Sequence, residues 1–275
     1  MQSSEIKKMA NRLRLEAVRM VYEGGDGHPG PALSIADIVA DLFFHEMNLD
    51  PGNPAWEDRD RFILSKGHAC PVYYAALNER GYFDPKVEHF HLRELGSIFQ
   101  GHPSMRSTPG VDMTSGSLGN GIAIGAGMAL AGRIQEKTYY VYVICGDGEL
   151  QEGVCWEGAG IAAAHHLDHL IVFVDRNGWQ SYKSVTETAG INRPADKFVA
   201  AGWDVQEISG HDIEGIQTAV QRAKNTPDRP HCIVCDCIKG KGVSFMENNN
   251  AWHKGVPTAE QFEIAKKDLL ADGCA

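Results

Sequence analysis

Two apolar segments, each followed by a polar loop, constrain the fold of this 275-residue chain most strongly. The first, Tyr139–Cys145, leads into Gly146-Asp147-Gly148, and the second, Leu170–Val174, leads into Asn177. The interval from Gly153 to Leu167 is long enough for one helix, so the pattern predicts a βαβ unit with adjacent, parallel strands. Ligands of such sheets bind beyond the carboxyl ends of the strands. We therefore expect Asp147 and Asn177 to lie at a ligand site.

The side chains of these two loops indicate the kind of ligand. Asp147 and Asn177 offer hard oxygen atoms, which suit a magnesium or calcium ion. Gly146 and Gly148 let the backbone approach a bulky anion such as a phosphate. Asp147 alone would equally suit the N-cap of a helix that follows a strand. The spacing to Asn177 favours the ligand site.

Composition and charge exclude several functional classes. The formal net charge of −10 argues against nucleic-acid binding, and no apolar run approaches the length of a membrane span. The first residues lack the apolar region of a secretory signal, so we predict a cytoplasmic protein. Cys232, Cys235 and Cys237 crowd one apolar run, but in a strand they point to opposite faces. We expect buried free thiols there and not a metal site.

Apolar periodicity and turn residues predict alternating helices and strands. Predicted helices cover 5–22, 34–46 (with a capping box of Ser34 and Asp37), 71–80, 89–96, a small-residue segment after Gly121, 213–224 and 258–270; further predicted strands cover 61–64, 203–208 and 231–238. The alternation predicts an α/β fold with a doubly wound, mainly parallel sheet flanked by helices. No repeat or linker is visible, so we predict a single domain over residues 1–275.

Four histidines recur in loops that follow predicted strand or helix ends. His28 and His102 each stand in Gly-His-Pro, His68 in Lys-Gly-His-Ala and His253 in Ala-Trp-His-Lys. One such histidine would more often be a solvated or capping residue. Four of them, together with the Asp147–Asn177 pair, indicate a functional site.

At these motifs the chain resembles the N-terminal half of a transketolase, the half that binds the diphosphate of thiamine diphosphate. Gly146-Asp147-Gly148, followed after 28 residues by Asn177, resembles the thiamine-diphosphate motif. Five loops, four of which carry the histidines, resemble transketolase loops in the same order, over nearly the whole chain: 26–30, 65–69, 101–103, 115–121 and 239–253. The resemblance implies the thiamine-diphosphate-binding fold. Ser104 departs from it, because many full-length relatives have Glu after Gly-His-Pro.

The resemblance implies a role for each motif residue. Asp147, Asn177 and the carbonyl of Trp179 would bind Mg²⁺, for which Ca²⁺ or Mn²⁺ could substitute. The cofactor would contact Gly146, Gly148 and His68 at its diphosphate, and Gly116 and Leu118 along its aminopyrimidine. Glu152 resembles the glutamate that links two cofactor sites across a subunit interface, although a solvated first-turn glutamate is an equal alternative.

The implied activity is the transfer of a two-carbon ketol unit from a ketose phosphate to an aldose phosphate. His28, His68, His102 and His253 would surround the donor sugar as hydrogen-bond partners and proton carriers. Ordinary pentose phosphates are the default substrates, with branched or sulfonated sugars as alternatives.

The resemblance also predicts a partner. Full-length transketolases continue into a pyrimidine-binding domain and a C-terminal domain, which we expect on a separate chain. We predict an α₂β₂ assembly and no activity of this chain alone. Rival interpretations are the α subunit of a 2-oxo-acid dehydrogenase, a deoxyxylulose-phosphate synthase, and a non-catalytic subunit that retains the fold.

Overall fold

Five parallel strands form the centre of the computed structural model, which describes residues 1–84, 91–189 and 193–271. The strands are β1 (Arg61–Leu64), β2 (Val141–Gly146), β3 (Leu170–Arg176), β4 (Asp204–Ser209) and β5 (His231–Asp236), in the order β1-β2-β3-β5-β4. The predicted βαβ unit is confirmed, because β2 and β3 are adjacent and Gly146 lies opposite Asp175. This register brings the 146–148 loop beside the loop that carries Asn177.

Helices cover both faces of the sheet, as predicted for a doubly wound fold. They are α1 (Ser3–Gly24), α2 (Pro29–Ser34), α3 (Ala36–Asp41), α4 (Cys70–Arg80), α5 (Asn120–Ile134), α6 (Gly153–Ala164), α7 (Val185–Thr188), α8 (Pro194–Ala200), α9 (Ile213–Lys224) and α10 (Ala259–Leu270). Side chains alternate along β2, so Tyr142 belongs to the core that includes residues of α1, α3, α4 and α9, whereas Val143 belongs to the core that includes residues of α5, α6 and α8.

Small residues let α5 and α6 pack closely together. A β-carbon added to Gly158 of α6 would lie 2.7 Å from the backbone of Ala123 in α5. A β-carbon on Gly125 would lie 2.8 Å from Val143 of the sheet. The small-residue helix predicted after Gly121 is therefore held between the sheet and α6.

Two predicted helices are wrong in part. Residues 34–46 form no single helix: Ser34 ends α2, α3 follows, and a π-helical turn covers Leu42–Glu46. Ser34 caps nothing, because its hydroxyl donates to buried Asp175 at 2.6 Å. Residues 91–96 form turns, and the rest of the predicted 89–96 helix lies outside the described residues.

The clustered cysteines are buried, as expected. Cys235 and Cys237 pack on one face of the sheet and Cys232 on the other, and all three are buried free thiols. Within the described ranges, no helix combines the length and apolar character that crossing a membrane requires.

Candidate active site

A cavity of about 140 Å³ opens at the carboxyl ends of β2 and β3. Its lining combines the two strand-end loops with the histidine loops: Pro31, Lys66, His68, Leu118, Gly146, Asp147, Gly148, Glu149, Gln151, Glu152, Asn177, Trp179, Gln180, Ser181, Lys239 and His253. The chain segments that meet here are more than 200 residues apart in sequence, and the parallel sheet brings them together.

Asp147 lies at the base of this cavity and is only 4% exposed. Its carboxylate accepts hydrogen bonds from the amides of Gly148 at 2.8 Å and Gly178 at 2.7 Å. Burial, together with repulsion from Asp175, raises the pKa of Asp147 to about 7. Asp147 therefore caps the following turn, as the alternative interpretation has it, and also presents a carboxylate that a cation would stabilise.

Asn177 is oriented by Asp175, a residue that sequence reasoning does not identify. The Asn177 amide nitrogen donates to Asp175 Oδ2 at 2.7 Å, so its oxygen points the other way and accepts the Trp179 amide at 3.0 Å. Asp175 is fully buried and also accepts Lys66 Nζ at 2.5 Å. Burial would raise the pKa of Asp175, but the Lys66 charge and the hydrogen bonds from Lys66, Ser34 and Asn177 together outweigh burial and lower that pKa.

Glu149 connects three loops of the site. It is 4% exposed and accepts the amides of Gly119 at 2.7 Å and Gly146 at 3.0 Å, together with the Ser65 hydroxyl. Burial raises its pKa, and these donors oppose that shift. Glu149 therefore fixes the 146–148 loop against the glycine-rich loop that begins α5.

Three of the predicted histidines form a triangle beside the cavity. The ring centroids of His28, His68 and His253 lie 5.2 to 5.4 Å apart. Burial is the main cause that lowers their pKa values, to about 4 for His28 and about 3 for His253. All three are therefore neutral near pH 7, and each ring can donate and accept a hydrogen bond. Nδ1 of His28 is buried without a partner among the described residues.

Lys239 fixes the tautomer of His253. The Lys239 ammonium lies 2.9 Å from His253 Nδ1, 2.8 Å from Asn250 Oδ1 and 3.2 Å from the Gln180 carbonyl. Because an ammonium only donates, His253 Nδ1 is the acceptor and its proton lies on Nε2. Lys239 is 1% exposed, and burial with repulsion from Lys66 lowers its pKa to about 8. This buried cation faces the cavity that Asp147 lines.

The remaining predicted residues lie at or near the same cavity. Leu118, Glu152 and Trp179 line it, with Leu118 and Glu152 exposed. Gly116 does not line the cavity but lies against the His102 ring, within 3.4 Å of an added β-carbon. The exposed His102 ring is near enough to His28 and His68 to help lower their pKa values.

The site residues that sequence reasoning misses carry a visible signal. Lys66, Glu149 and Lys239 stand inside the predicted motifs, and each is at most 4% exposed. Asp175 interrupts the apolar β3 segment one residue before its end. A charged residue in a segment otherwise predicted to be buried indicates an ion pair.

The donor set fits a metal ion that takes part of its ligands from a cofactor. Across the described residues, no three His, Cys, Asp or Glu side chains converge in a metal-binding arrangement. Asp147 and the Asn177 oxygen nevertheless fit a hard cation whose remaining ligands come from a backbone carbonyl and a bound diphosphate. The raised pKa of the Asp147 carboxyl agrees with this, because a cation would offset its burial.

Comparison with known proteins identifies the family. The family described as "Transketolase, thiamine diphosphate binding domain" matches residues 5–272. The chain belongs to the transketolase family. It is 40% identical over 272 residues to the 6-deoxy-6-sulfo-D-fructose transketolase subunit of Clostridium sp. (strain MSTE9), covering 99% of this chain and 98% of that protein. It is 38% identical to an apulose-4-phosphate transketolase subunit of Phocaeicola vulgatus, and this match covers 96% of this chain and 93% of that protein.

Solved transketolases share the fold. The Campylobacter jejuni transketolase superposes with a TM-score of 0.92 at 33% identity, covering 98% of this chain but 43% of that one. This transketolase-family chain thus spans nearly the whole of the two subunit relatives and less than half of that transketolase. The predictions of the family, the fold and the role of a transketolase subunit have been confirmed. These relatives do not favour the rival enzyme classes or the non-catalytic subunit, and their names imply a partner subunit.

Proposed function

We propose that this chain binds the diphosphate end of thiamine diphosphate with Mg²⁺ and, together with a partner subunit, transfers a two-carbon ketol unit between sugars. The observation that carries this proposal is one cavity lined by a buried carboxylate, Asp147, a buried cation, Lys239, and the neutral histidines His68 and His253. A metal-bound diphosphate and a polyhydroxylated sugar need these groups side by side.

Asp147, the side-chain oxygen of Asn177 and the carbonyl of Trp179 would hold the metal ion. The Lys239 ammonium would face the diphosphate, whose negative charge would offset the burial that lowers the lysine's pKa. Gly148 leaves room beside the Gln180 side chain, which an added β-carbon would approach to 2.7 Å. His68 and the backbone of Gly146 would complete the contacts to the diphosphate.

When bound, thiamine diphosphate supplies a carbon nucleophile and an electron sink for cleaving the bond beside a ketose carbonyl. The histidines would donate protons to the sugar's oxygen atoms and accept protons from them. His253 carries its proton on Nε2 because Lys239 occupies Nδ1. This Nε2 lies 3.3 Å from the Ser181 hydroxyl, and its proton would be donated to a sugar oxygen that takes the place of that hydroxyl. His28 has a buried Nδ1 without a partner among the described residues, and with His68 and His102 it would orient hydroxyl groups and carry protons. Because burial keeps these imidazole rings neutral, each ring can either donate a proton to the sugar or accept one from it.

An exposed apolar face marks where the partner subunit would dock. Leu118, Ile124, Ile134 and Ile161 are 37%, 38%, 73% and 52% exposed. A β-carbon added at Gly160 would meet no described residue within 4 Å. These residues, which lie on α5, on α6 and, for Leu118, in the loop before α5, define the α5–α6 face. Leu118 also lines the cavity, so a chain docked there would reach the open side of the cofactor site. We assign this face to a partner that carries the pyrimidine-binding and C-terminal domains, in an α₂β₂ assembly with Glu152 near the interface.

The proposed donor is a ketose with a terminal anionic group. Two similar subunits are named for 6-deoxy-6-sulfo-D-fructose and apulose 4-phosphate, a sulfonated and a phosphorylated sugar. The cytoplasm is the proposed compartment, because the six cysteines of the described residues are unpaired thiols. Comparing the sulfonated sugar, the sugar phosphate and a pentose phosphate as donors would identify the substrate. A 2-oxo acid used in preference to all three would contradict the ketol-transfer proposal.

Calorimetry with thiamine diphosphate and Mg²⁺ tests the cofactor site in the assembly of this chain with its partner subunit. The partner is first sought among the proteins encoded beside this chain. We expect binding that needs both components and that Asp147→Ala abolishes. Asp58→Ala is the matched control, because Asp58 is a half-exposed surface residue paired with Lys137. No binding by the wild-type assembly, or undiminished binding by the Asp147 variant, would refute the proposal.

Association of the two subunits tests the α5–α6 face. Ile161→Asp places a charge on this face and should prevent association, measured by size-exclusion chromatography with light scattering. Ile264→Asp is the control, since Ile264 is 41% exposed on α10, which packs against α1 on the opposite side of the sheet. Equal association of both variants would contradict the assignment.

A further inference from the structure

His211 lies outside the cavity, in the loop after β4, and holds the segment that leads to Lys239. The amide of Ile238 donates to His211 Nε2 at 2.8 Å. Ile238 directly precedes Lys239 and follows the end of β5 by two residues. The amide of Cys237 still donates to the backbone of β3, at the Arg176 carbonyl. The amide of Ile238 thus donates its hydrogen bond to the His211 imidazole and not to the backbone of a neighbouring strand.

The tautomer of His211 follows from its two contacts. A backbone amide only donates, so His211 Nε2 carries no proton and its proton lies on Nδ1. Nδ1 is 2.8 Å from Asp37 Oδ2 and donates to it. The Asp37 carboxylate therefore selects the one neutral tautomer whose Nε2 lone pair can accept the Ile238 amide.

Asp37 is itself held as a carboxylate. It is fully buried and pairs with Arg14 and with Lys7, the latter at 2.9 Å. Burial would raise its pKa, but Arg14, His211 and Lys7 outweigh burial and hold that pKa far below its usual range. The Lys7 ammonium also lies 3.4 Å from the His211 carbonyl. The acceptor state of His211 is thus set by charges on α1 and α3.

Beyond Ile238 the backbone has two more anchors. The Lys239 carbonyl accepts the Asn248 amide at 2.9 Å, and the Gly240 amide donates to the Gly30 carbonyl at 3.1 Å. These anchors fix the segment on its C-terminal side, and His211 fixes it on the side of the sheet. Lys239 extends from between them to His253 Nδ1 and to the cavity.

We infer that His211 is a positioning residue for Lys239 and that, through the Ile238 amide, it sets the affinity of the site for the cofactor's diphosphate. The inference rests on the proposed function, in which Lys239 faces the diphosphate. His211 itself does not touch the cavity. Outer groups that orient a ligand-binding residue contribute about 10- to 100-fold to affinity, so an effect of that order is expected.

The test compares His211→Phe with His211→Gln in the assembled enzyme, using calorimetry with thiamine diphosphate and Mg²⁺. Phenylalanine keeps the ring but accepts no hydrogen bond, and we expect its affinity to fall by at least about 10-fold. Glutamine offers an oxygen near the position of Nε2 and should restore the affinity to within about threefold of the wild type. Equal affinity of the wild-type and Phe proteins would overturn the inference while leaving the proposed function intact.

A double-substitution cycle with Lys239→Met separates positioning from general loss of structure. If His211 acts through Lys239, His211→Phe should change the affinity by less than about threefold once Lys239 is methionine. A loss of similar size in both backgrounds would assign His211 a merely structural role and refute the inference. Absence of cofactor binding by the wild-type enzyme would instead refute the proposed function, and with it the role of His211.

Discussion

Asp175→Asn removes one charge from the buried Lys66–Asp175 pair without changing the size of the side chain. The two side chains are 3% and 0% exposed, with Nζ and Oδ2 2.5 Å apart. After the substitution, the Pro31 carbonyl, at 3.0 Å, still accepts the Lys66 ammonium, but it carries no charge. In the wild type, one carboxylate oxygen of Asp175 accepts the hydrogen bond from Ser34 and the other accepts the hydrogen bond from Asn177. An asparagine has a single oxygen to accept both.

The size of the effect follows from this burial. Breaking a buried ion pair by removing one partner costs about 3–5 kcal/mol, because the remaining charge is left uncompensated. For domains of this size, 1 kcal/mol changes the melting temperature by roughly 2–4 °C, so Asp175→Asn should lower it by roughly 6–20 °C. Asn177 also loses the carboxylate that orients its amide, so the affinity for Mg²⁺ with thiamine diphosphate should fall.

Differential scanning fluorimetry measures the first effect and calorimetry the second. Asp236→Asn is the matched control, because Asp236 pairs with Arg176 at the end of the neighbouring strand but is 63% exposed. A surface pair of this kind contributes about 0–1 kcal/mol. Adding Lys66→Met to Asp175→Asn removes the orphaned charge and should recover part of the stability. A decrease below about 2 °C for Asp175→Asn, or a double variant no more stable than the single one, would refute the reasoning.

Three further outcomes are expected. Burial raises the pKa of Asp147 to about 7 and a bound cation lowers it, so cofactor affinity should be full above that pH and fall about tenfold per unit below it. Calorimetry corrected for magnesium binding by the free cofactor checks this, and a flat profile between about pH 5.5 and 7 would contradict it. Burial also raises the pKa of Asp41 to about 7, so the folded state loses stability as the pH rises from about 4 to 7. The difference in melting temperature between Asp41→Asn and the wild type should therefore increase in favour of the variant from about pH 5 to 8. Asp60→Asn should instead be destabilised, because two backbone amides donate to the Asp60 carboxylate; equal responses of both variants would count against this account. In α6, Gly158→Ala should destabilise the chain, since its β-carbon would lie 2.7 Å from the α5 backbone, whereas Gly160→Ala, with open space, should stabilise it by about 0.5–1 kcal/mol. Urea denaturation of the isolated chain distinguishes the two, and the same sign for both would be inconsistent with the packing described.

Local patterns predicted most of the elements. The helix 213–224 agrees with α9 at both ends, and the strand 61–64 agrees with β1. Apolar periodicity is read directly from the sequence, and glycine and proline end the segments. The 34–46 segment was wrong because Ser34 binds Asp175, a residue 141 positions away, and this contact overrides the local capping pattern.

The sequence alone determined the kind of chemistry, because the motif residues carry their donor atoms wherever they lie: Asp147 and Asn177 at their spacing, and four histidines in loops. Tertiary structure decided the partners of those residues. Strand order places β5 between β3 and β4, which brings Lys239 and its segment to the cavity and His211 beneath it. Asp175, Glu149 and Lys66 bind partners as far as 141, 84 and 109 residues away in sequence, respectively. Hydrogen bonds and burial depend on distance in space. Neither the neutral state of the histidines nor the charge of the buried pairs could therefore be predicted from the sequence, because both depend on how the sheet brings the loops together.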